Sequence, residues 1–298
     1  METLLAGPAG TVKIGHGLPL VVIGERINPT GRKRMARAVE EGDFRLLQEE
    51  AVRQVEKGAH VLDVNVGVSG IDEPKALERA VRAIREVTGV PLCIDSALPE
   101  ALEAGLKACE GKALVNSVNG EKRKLEQVLP LVKDYGAAVI GLTMDDAGIP
   151  PEASRRLEIA QKILDEALAR GIPAEDVIID PLAMAVCTDS LAARATIEAL
   201  RAIRDRLGVN QTLGVSNVSF GLPERHAVNG IFLAVAAASG LTCCIIDPTV
   251  WEVRRAALIS DLLMGHDSYC MRFISAYRAV TRESAKPQAG AHRRCRGD

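Results

Sequence analysis

Aromatic side chains are scarce in this sequence: 1 Trp, 3 Tyr and 4 Phe, or 3% of 298 residues. Apolar residues still make up 47% of the chain, so Val, Ile, Leu and Ala must fill the interior, which suits a barrel of strands and helices. Charge of one sign is also missing. With 37 Lys and Arg against 39 Asp and Glu, the formal charge is −2, and without a broad basic face the chain is not expected to bind nucleic acid. Long hydrophobic runs are absent as well. The longest, Ile231 to Ile246, is broken by Gly240 and falls short of the roughly 20 residues of a membrane helix, so no membrane span is expected. The first ten residues, METLLAGPAG, lack the basic start and apolar stretch of a secretory signal, and the cytoplasm is the expected location.

The 7 cysteines include no C-x-x-C pair. A three-cysteine zinc site would have to gather Cys187, after a sixth strand, with Cys243 and Cys244 of an eighth. Cys243 and Cys244 precede the Ile-Ile of their strand and so lie toward its N-terminal end, away from a catalytic rim. Core packing is the expected role of these thiols, and no metal is expected.

Eight short β-rich runs punctuate the chain: from Leu20 (LVVIG), His60 (HVLDVNVG), Pro91 (PLCID), Ala113 (ALVNS), Ala137 (AAVIGLT), Asp176 (DVIID), Thr212 (TLGVSN) and Cys243 (CCIID). Helical periodicity fills the gaps, as at Arg45 to Glu56, Pro74 to Val87, Pro99 to Cys109, Leu125 to Tyr135, Arg155 to Arg170, Ala192 to Leu207 and Arg225 to Ser239. Eight strand–helix units with right-handed crossovers predict a single (β/α)8 barrel of the TIM type over residues 20–277. In the N-terminal segment, 1–19, the Gly-rich turn of TVKIGHGLPL predicts a hairpin across the barrel bottom. After Tyr277 the chain turns polar and basic, and a disordered tail is expected over 278–298.

Polar residues gather at the C-terminal ends of the strands: Glu25, Arg26 and Asn28; Asp63 and Asn65; Asp95 and Ser96; Asn116, Ser117 and Asn119; Asp180; Asn217 and Ser219; Asp247. Only a closed barrel brings these ends to one rim. The set is rich in Asn and Asp and poor in nucleophiles, with no rim Cys or Lys beside a His. Such a site recognises and polarises a heterocycle and leaves the attack to another group. A pterin, with its amide and amino-pyrimidine edges, would be satisfied by a buried carboxylate and amides, and Asp95, Asn116 and Asp180 match that demand. Each also has an ordinary structural role open to it: Asp-Pro at 180–181 and 247–248 caps turns, and Asn119-Gly120-Glu121 looks like a helix start.

GERINPTG (24–31), LDVNVG (62–67), LCIDS (92–96), VNSVNGE (115–121), IGLTMDDAGIP (140–150), IIDPL (178–182) and LGVSNVSFGLPER (213–225) occur in that order. Together they resemble the pterin-binding methyltransferase family, which includes the methyltetrahydrofolate:corrinoid protein methyltransferases and the folate domain of cobalamin-dependent methionine synthase. The resemblance spans about 23–277. It implies that Asp95, Asn116 and Asp180 hold the pterin, that Asn217 contacts its nitrogen 5 as the catalytic residue, and that the enzyme is a homodimer. Glu25, Asn28, Asp63 and Ser219 complete the expected folate-binding set.

Dihydropteroate synthases share the barrel and pocket, but they carry a longer Asn-x-Thr-Pro-Asp-Ser-Phe loop where this chain has INPTG at 27–31. They also end in an Arg-x-His element where it has IIDPTV at 245–250. The expected reaction is therefore methyl transfer between 5-methyltetrahydrofolate and the cobalt of a corrinoid, in a direction the residues leave open. The chain has no Asp-x-His-x-x-Gly element, so a separate corrinoid protein must supply that cofactor, with the corrinoid iron-sulfur protein as one candidate. Pterin condensation of the dihydropteroate synthase kind, and a non-catalytic folate-binding subunit, are the alternatives.

Overall fold

A computed structural model describes residues 1–284 of the chain. The barrel is a sheet of eight parallel strands: β3 (Val21–Ile27), β4 (Val61–Asn65), β5 (Leu92–Asp95), β6 (Leu114–Asn119), β7 (Ala138–Leu142), β8 (Val177–Asp180), β9 (Asn210–Gln211) and β10 (Cys243–Ile246). Their order is β10-β3-β4-β5-β6-β7-β8-β9. Main-chain bonds from Thr242 N to Gln211 O (3.0 Å) and from Ile245 N to Leu213 O (2.9 Å) bring the last strand against β9 and round off the barrel. Around it lie α1 (Lys33–Glu41), α2 (Arg45–Glu56), α3 (Glu73–Arg85), α4 (Pro99–Ala108), α5 (Lys122–Asp134), α6 (Ala153–Ala169), α7 (Ala192–Leu207), α8 (Arg225–Ser239), α9 (Trp251–Leu263) and α10 (Met271–Ser284). Among the described residues no helix is long and apolar enough to cross a membrane.

The two-residue period of a strand decides where the site can be. Leu62 and Val64, Leu92 and Ile94, Val115, Val139, and Val177 and Ile179 pack outward into the core shared with the helices. The alternate positions Val61, Cys93, Leu114, Ala138, Ile140 and Ile178 fill the barrel interior. Two residues further along, the inward series turns polar and runs through Asp63, Asn65, Asp95, Asn116 and Asp180. The first four are carried by adjacent strands in register (Asn65 opposite Asp95, Asp95 opposite Asn116), and Asp180 joins the C-terminal rim from β8.

Three expectations need correction, and one helix is additional. The N-terminal hairpin exists, but it is β1 (Glu2–Gly7) paired with β2 (Gly10–Gly15) around Pro8-Ala9, not a turn at His16-Gly17. It plugs the barrel bottom with Leu5 and Ile14, both wholly buried. The plug runs so close to the loop before β6 that a Cβ on Gly111, at φ +90°, would lie 2.3 Å from the Ala6 carbonyl oxygen. Helix α1 was not anticipated. The seventh strand is two residues, 210–211, rather than TLGVSN, and Val215–Ser219 form a 3-10 turn. Finally, α10 continues past Tyr277 to Ser284, so 278–284 are helical; the rest of the expected tail, 285–298, lies outside the described residues.

Candidate functional site

At the centre of the rim, Asp63 is buried and accepts a hydrogen bond from Asn116 Nδ2 at 3.1 Å. Asp95 stands beside it and is hydrogen-bonded to the Asn65 side chain. Burial pushes both carboxyls up, and their mutual repulsion pushes Asp95 higher still. Across the barrel Asp180 accepts from the amides of Leu182, at 2.7 Å, and Gly214. Its burial nonetheless raises it to about 7, because two amide dipoles do not replace lost hydration. These buried acids have little cationic compensation. Such a hollow suits a ligand that brings N–H donors, which an amino-pyrimidine edge does.

Glu25 lies at the end of β3 and bonds the Ser216 side chain; burial, then the nearby Asp247, raises it to about 7, with Arg26 and Arg225 opposing. It lines a cavity of about 780 Å³ together with Arg26, Ser216, Arg225, Asn229 and Asp247. This cavity adjoins the carboxylate cluster rather than containing it, since neither Asp63, Asp95 nor Asp180 lines it. Arg26 reaches Asp247 at 3.3 Å, and Asp247 also accepts from Thr249 N (2.9 Å) and Oγ1 (2.6 Å), so its turn-capping role is real.

The remaining expected residues divide. Asn217 is exposed on the 3-10 turn rather than at a strand end. A Cβ on Gly214 would stand 3.2 Å from its Nδ2, so any side chain there would press on this amide. Ser219 is wholly buried, accepts from Arg225 Nε (3.1 Å) and lies 3.3 Å from Ser216 O; its hydroxyl braces the turn. Asn28 Oδ1 accepts from Thr30 N at 2.9 Å, an Asx turn. Asn119 pairs with Glu121 at the start of α5, its Nδ2 donating to Oε1 at 2.8 Å. Cys243 and Cys244 are buried in β10 whereas Cys187 is exposed, its thiol donating to Phe220 O at 3.0 Å. Core packing therefore describes the first two thiols and not the third. Among the described residues no group of three or more His, Cys, Asp or Glu is arranged to hold a metal ion.

Two supporting residues escaped the sequence reading. Arg156, on α6 and 1% exposed, donates to the carbonyls of Pro150 (2.8 Å), Pro181 (2.9 Å) and Leu182 (2.9 Å), pinning the loop that follows Asp180. Gln54, on α2, is wholly buried and accepts from Arg26 N at 2.9 Å, steadying β3 where its register shifts between Gly24 and Ile27. Each is a polar residue on an apolar stripe: Arg156 heads Ile159, Ala160, Ile163 and Ala167, and Gln54 follows Leu47 and Ala51. That misfit was the available signal.

A closed α/β barrel with a buried carboxylate–amide cluster at its C-terminal rim is the architecture of a ligand-binding enzyme. Residues 24–247 match the family described as pterin binding enzyme, and the chain belongs to that family. It is 33% identical over 267 residues to the methylcorrinoid:tetrahydrofolate methyltransferase of Eubacterium limosum, covering 87% of this chain and 96% of that one. It is 32% identical over 240 residues to the methionine synthase of Mycobacterium tuberculosis, covering 76% of this chain but 20% of that much longer protein. Among solved structures, dihydropteroate synthase from Xanthomonas albilineans superposes with a TM-score of 0.67 at 19% identity, covering 88% of this chain and 98% of that one. That likeness is one of fold. Sequence likeness places the chain among the family's methyltransferases.

Proposed function

We propose that the protein moves a methyl group between 5-methyltetrahydrofolate and the cobalt of a corrinoid carried by a separate protein. The observation that carries this reading is the inward polar series Asp63, Asp95, Asn116 and Asp180 in a chain whose near full-length relative is a methylcorrinoid:tetrahydrofolate methyltransferase. In this reading the acids take the pterin's N–H donors, Asn116 takes one donor and one acceptor, and the ring stacks no deeper than the apolar floor of Ile140 and Ile178. Asn217 faces nitrogen 5 from the turn, Ser219 holds that turn, and Glu25 and Asn28 bound the side toward the cavity. The corrinoid supplies the nucleophile or the methyl donor, and the barrel supplies position and polarity. The open rim lets a corrinoid protein dock over it, whether the iron-sulfur type or another.

The test is stopped-flow mixing of the protein and 5-methyltetrahydrofolate with cob(I)alamin, and of methylcobalamin with tetrahydrofolate. Catalysed transfer in both directions is expected, by microscopic reversibility. Tight folate binding without turnover on any corrinoid would instead make the chain a folate-presenting subunit, and product from pterin diphosphate with 4-aminobenzoate would make it a condensing enzyme. We further propose a cytoplasmic homodimer. Its supporting feature is the outer face of α8 and α9, where Ile231 (69%), Val235, Leu263 (79%) and Met264 are exposed on neighbouring helices.

A further inference from the structure

Arg156 is a buried cation on the apolar side of α6, and its guanidinium donates to neutral oxygens. Nε reaches Pro150 O at 2.8 Å; Nη1 reaches Pro181 O and Leu182 O, both at 2.9 Å, and Thr196 Oγ1 at 3.2 Å. Taking a charge out of water is costly, and an aliphatic residue would have continued the stripe of Ile159, Ala160 and Ile163 at no such cost. What the arginine contributes must lie in the loop that its donors hold.

Two of those oxygens belong to the turn Asp180-Pro181-Leu182. Proline has no N–H, so the first amide of the loop able to reach the Asp180 carboxyl is that of Leu182, which does so at 2.7 Å. This N–H and the Pro181 carbonyl are the two ends of one peptide unit. The unit is planar and trans, so its N–H and C=O point in opposite directions. Holding the oxygen from α6 therefore turns the N–H toward Asp180. The turn is also one that the local sequence disfavours, because Leu182 stands at φ +66°, in the left-handed region. Thr196 of α7, wholly buried, braces the same residue with Oγ1 3.0 Å from Leu182 O.

We propose that Arg156 is a positioning residue for pterin recognition: by holding the Pro181–Leu182 peptide it keeps Leu182 left-handed, and so fixes the direction in which Asp180 presents its carboxyl to the ligand. The proposal rests on the pterin-binding role given to Asp180 above. The charge of Arg156 also acts on Asp180 through space, and the test has to separate that route from the one through the peptide.

The experiment measures 5-methyltetrahydrofolate affinity by calorimetry for a set of folded variants. Without the arginine, Leu182 relaxes from its left-handed state and has to return to it when folate binds. That return reduces the apparent affinity of Arg156→Met roughly five- to thirtyfold. In an Asp180→Asn background the same substitution should change affinity by less than about twofold, since residues that act through one another do not add. Equal losses in both backgrounds are what a general loss of stability gives, and they overturn the proposal.

Two further variants discriminate peptide from charge. Arg156→Lys keeps the charge but lacks the planar fork that serves several carbonyls at once; it should still bind folate several-fold more weakly than the wild type, on the order of fivefold. Wild-type affinity in Arg156→Lys overturns the peptide route. Glycine adopts a left-handed φ without strain, so adding Leu182→Gly to Arg156→Met should recover about fivefold in affinity, and no recovery counts against the proposal. Should Arg156→Met not fold, Arg156→Lys carries the Asp180→Asn and Leu182→Gly comparisons in its place. A wild type that binds no folate, or an Asp180→Asn that binds it as tightly as the wild type, brings down the role of Asp180 and the proposal with it. The other adverse results bring down the role of Arg156 alone.

Discussion

Ionisation of the buried rim carboxyls should destabilise the ligand-free protein at neutral pH, and Asp180→Asn isolates the effect of one of them. Asp180 is 6% exposed, its carboxyl oxygen accepts from Leu182 N at 2.7 Å, and burial raises it from 3.8 to about 7. Between those two values the folded chain holds a proton that the unfolded chain has released. The stability this contributes is fully present below about pH 4 and is lost as the pH rises through 7. Applying linkage to these values, the loss between about pH 5 and about pH 8 is on the order of 2 to 3 kcal/mol for this one group. Asparagine cannot ionise, yet its carbonyl oxygen can still accept from Leu182 and Gly214. Urea denaturation of the ligand-free proteins at the two pH values is the assay. The wild type should lose about 2 to 3 kcal/mol more than Asp180→Asn across the range. Because both proteins share Glu25, Asp95 and His60, whose own shifts also bend the profile, the difference between them isolates Asp180. The variant should be the more stable at pH 8 and the weaker folate binder. Parallel pH profiles would refute the claim that this carboxyl is held protonated by burial.

Three further outcomes are expected. Asp95→Ala should keep its fold and weaken 5-methyltetrahydrofolate binding roughly ten- to hundredfold, the cost of removing one partner from a buried polar network; unchanged affinity by calorimetry would remove Asp95 from the site. Asn217→Ala should bind folate with a modest deficit and transfer methyl to cobalt(I) about 10²- to 10³-fold more slowly. A near wild-type rate in stopped flow would leave Asn217 as a turn residue only. Ile231→Glu on the exposed face of α8 should convert the dimer to monomer at micromolar concentration by light scattering, and a wild type already monomeric there would end that proposal.

What the sequence determined by itself follows from local periods. The outward apolar and inward polar alternation at Leu62-Asp63-Val64-Asn65 or Ile94-Asp95 is a property of a strand two residues in repeat, so the rim acids were readable before any fold was known. The amphipathic helices Arg45–Glu56, Ala192–Leu207 and Arg225–Ser239 coincide with α2, α7 and α8 for the same reason. The tertiary structure decided what depends on residues distant in the chain. The hairpin register answers to Asn210, whose Nδ2 donates to Thr3 Oγ1 (2.9 Å) and Ile14 O (3.0 Å) from about 200 positions away, and no local pattern encodes that pairing. β9 is only two residues long; the chain beyond it still meets β10 through Leu213 and Gly214, and the apolar run TLGV becomes the lead into a 3-10 turn. Glu25 shows the division most clearly. Its position at a strand end was legible, but the burial and the Asp247 charge that raise it to about 7, and the Ser216 and Arg225 that oppose them, come from strands and helices that meet only when the barrel closes.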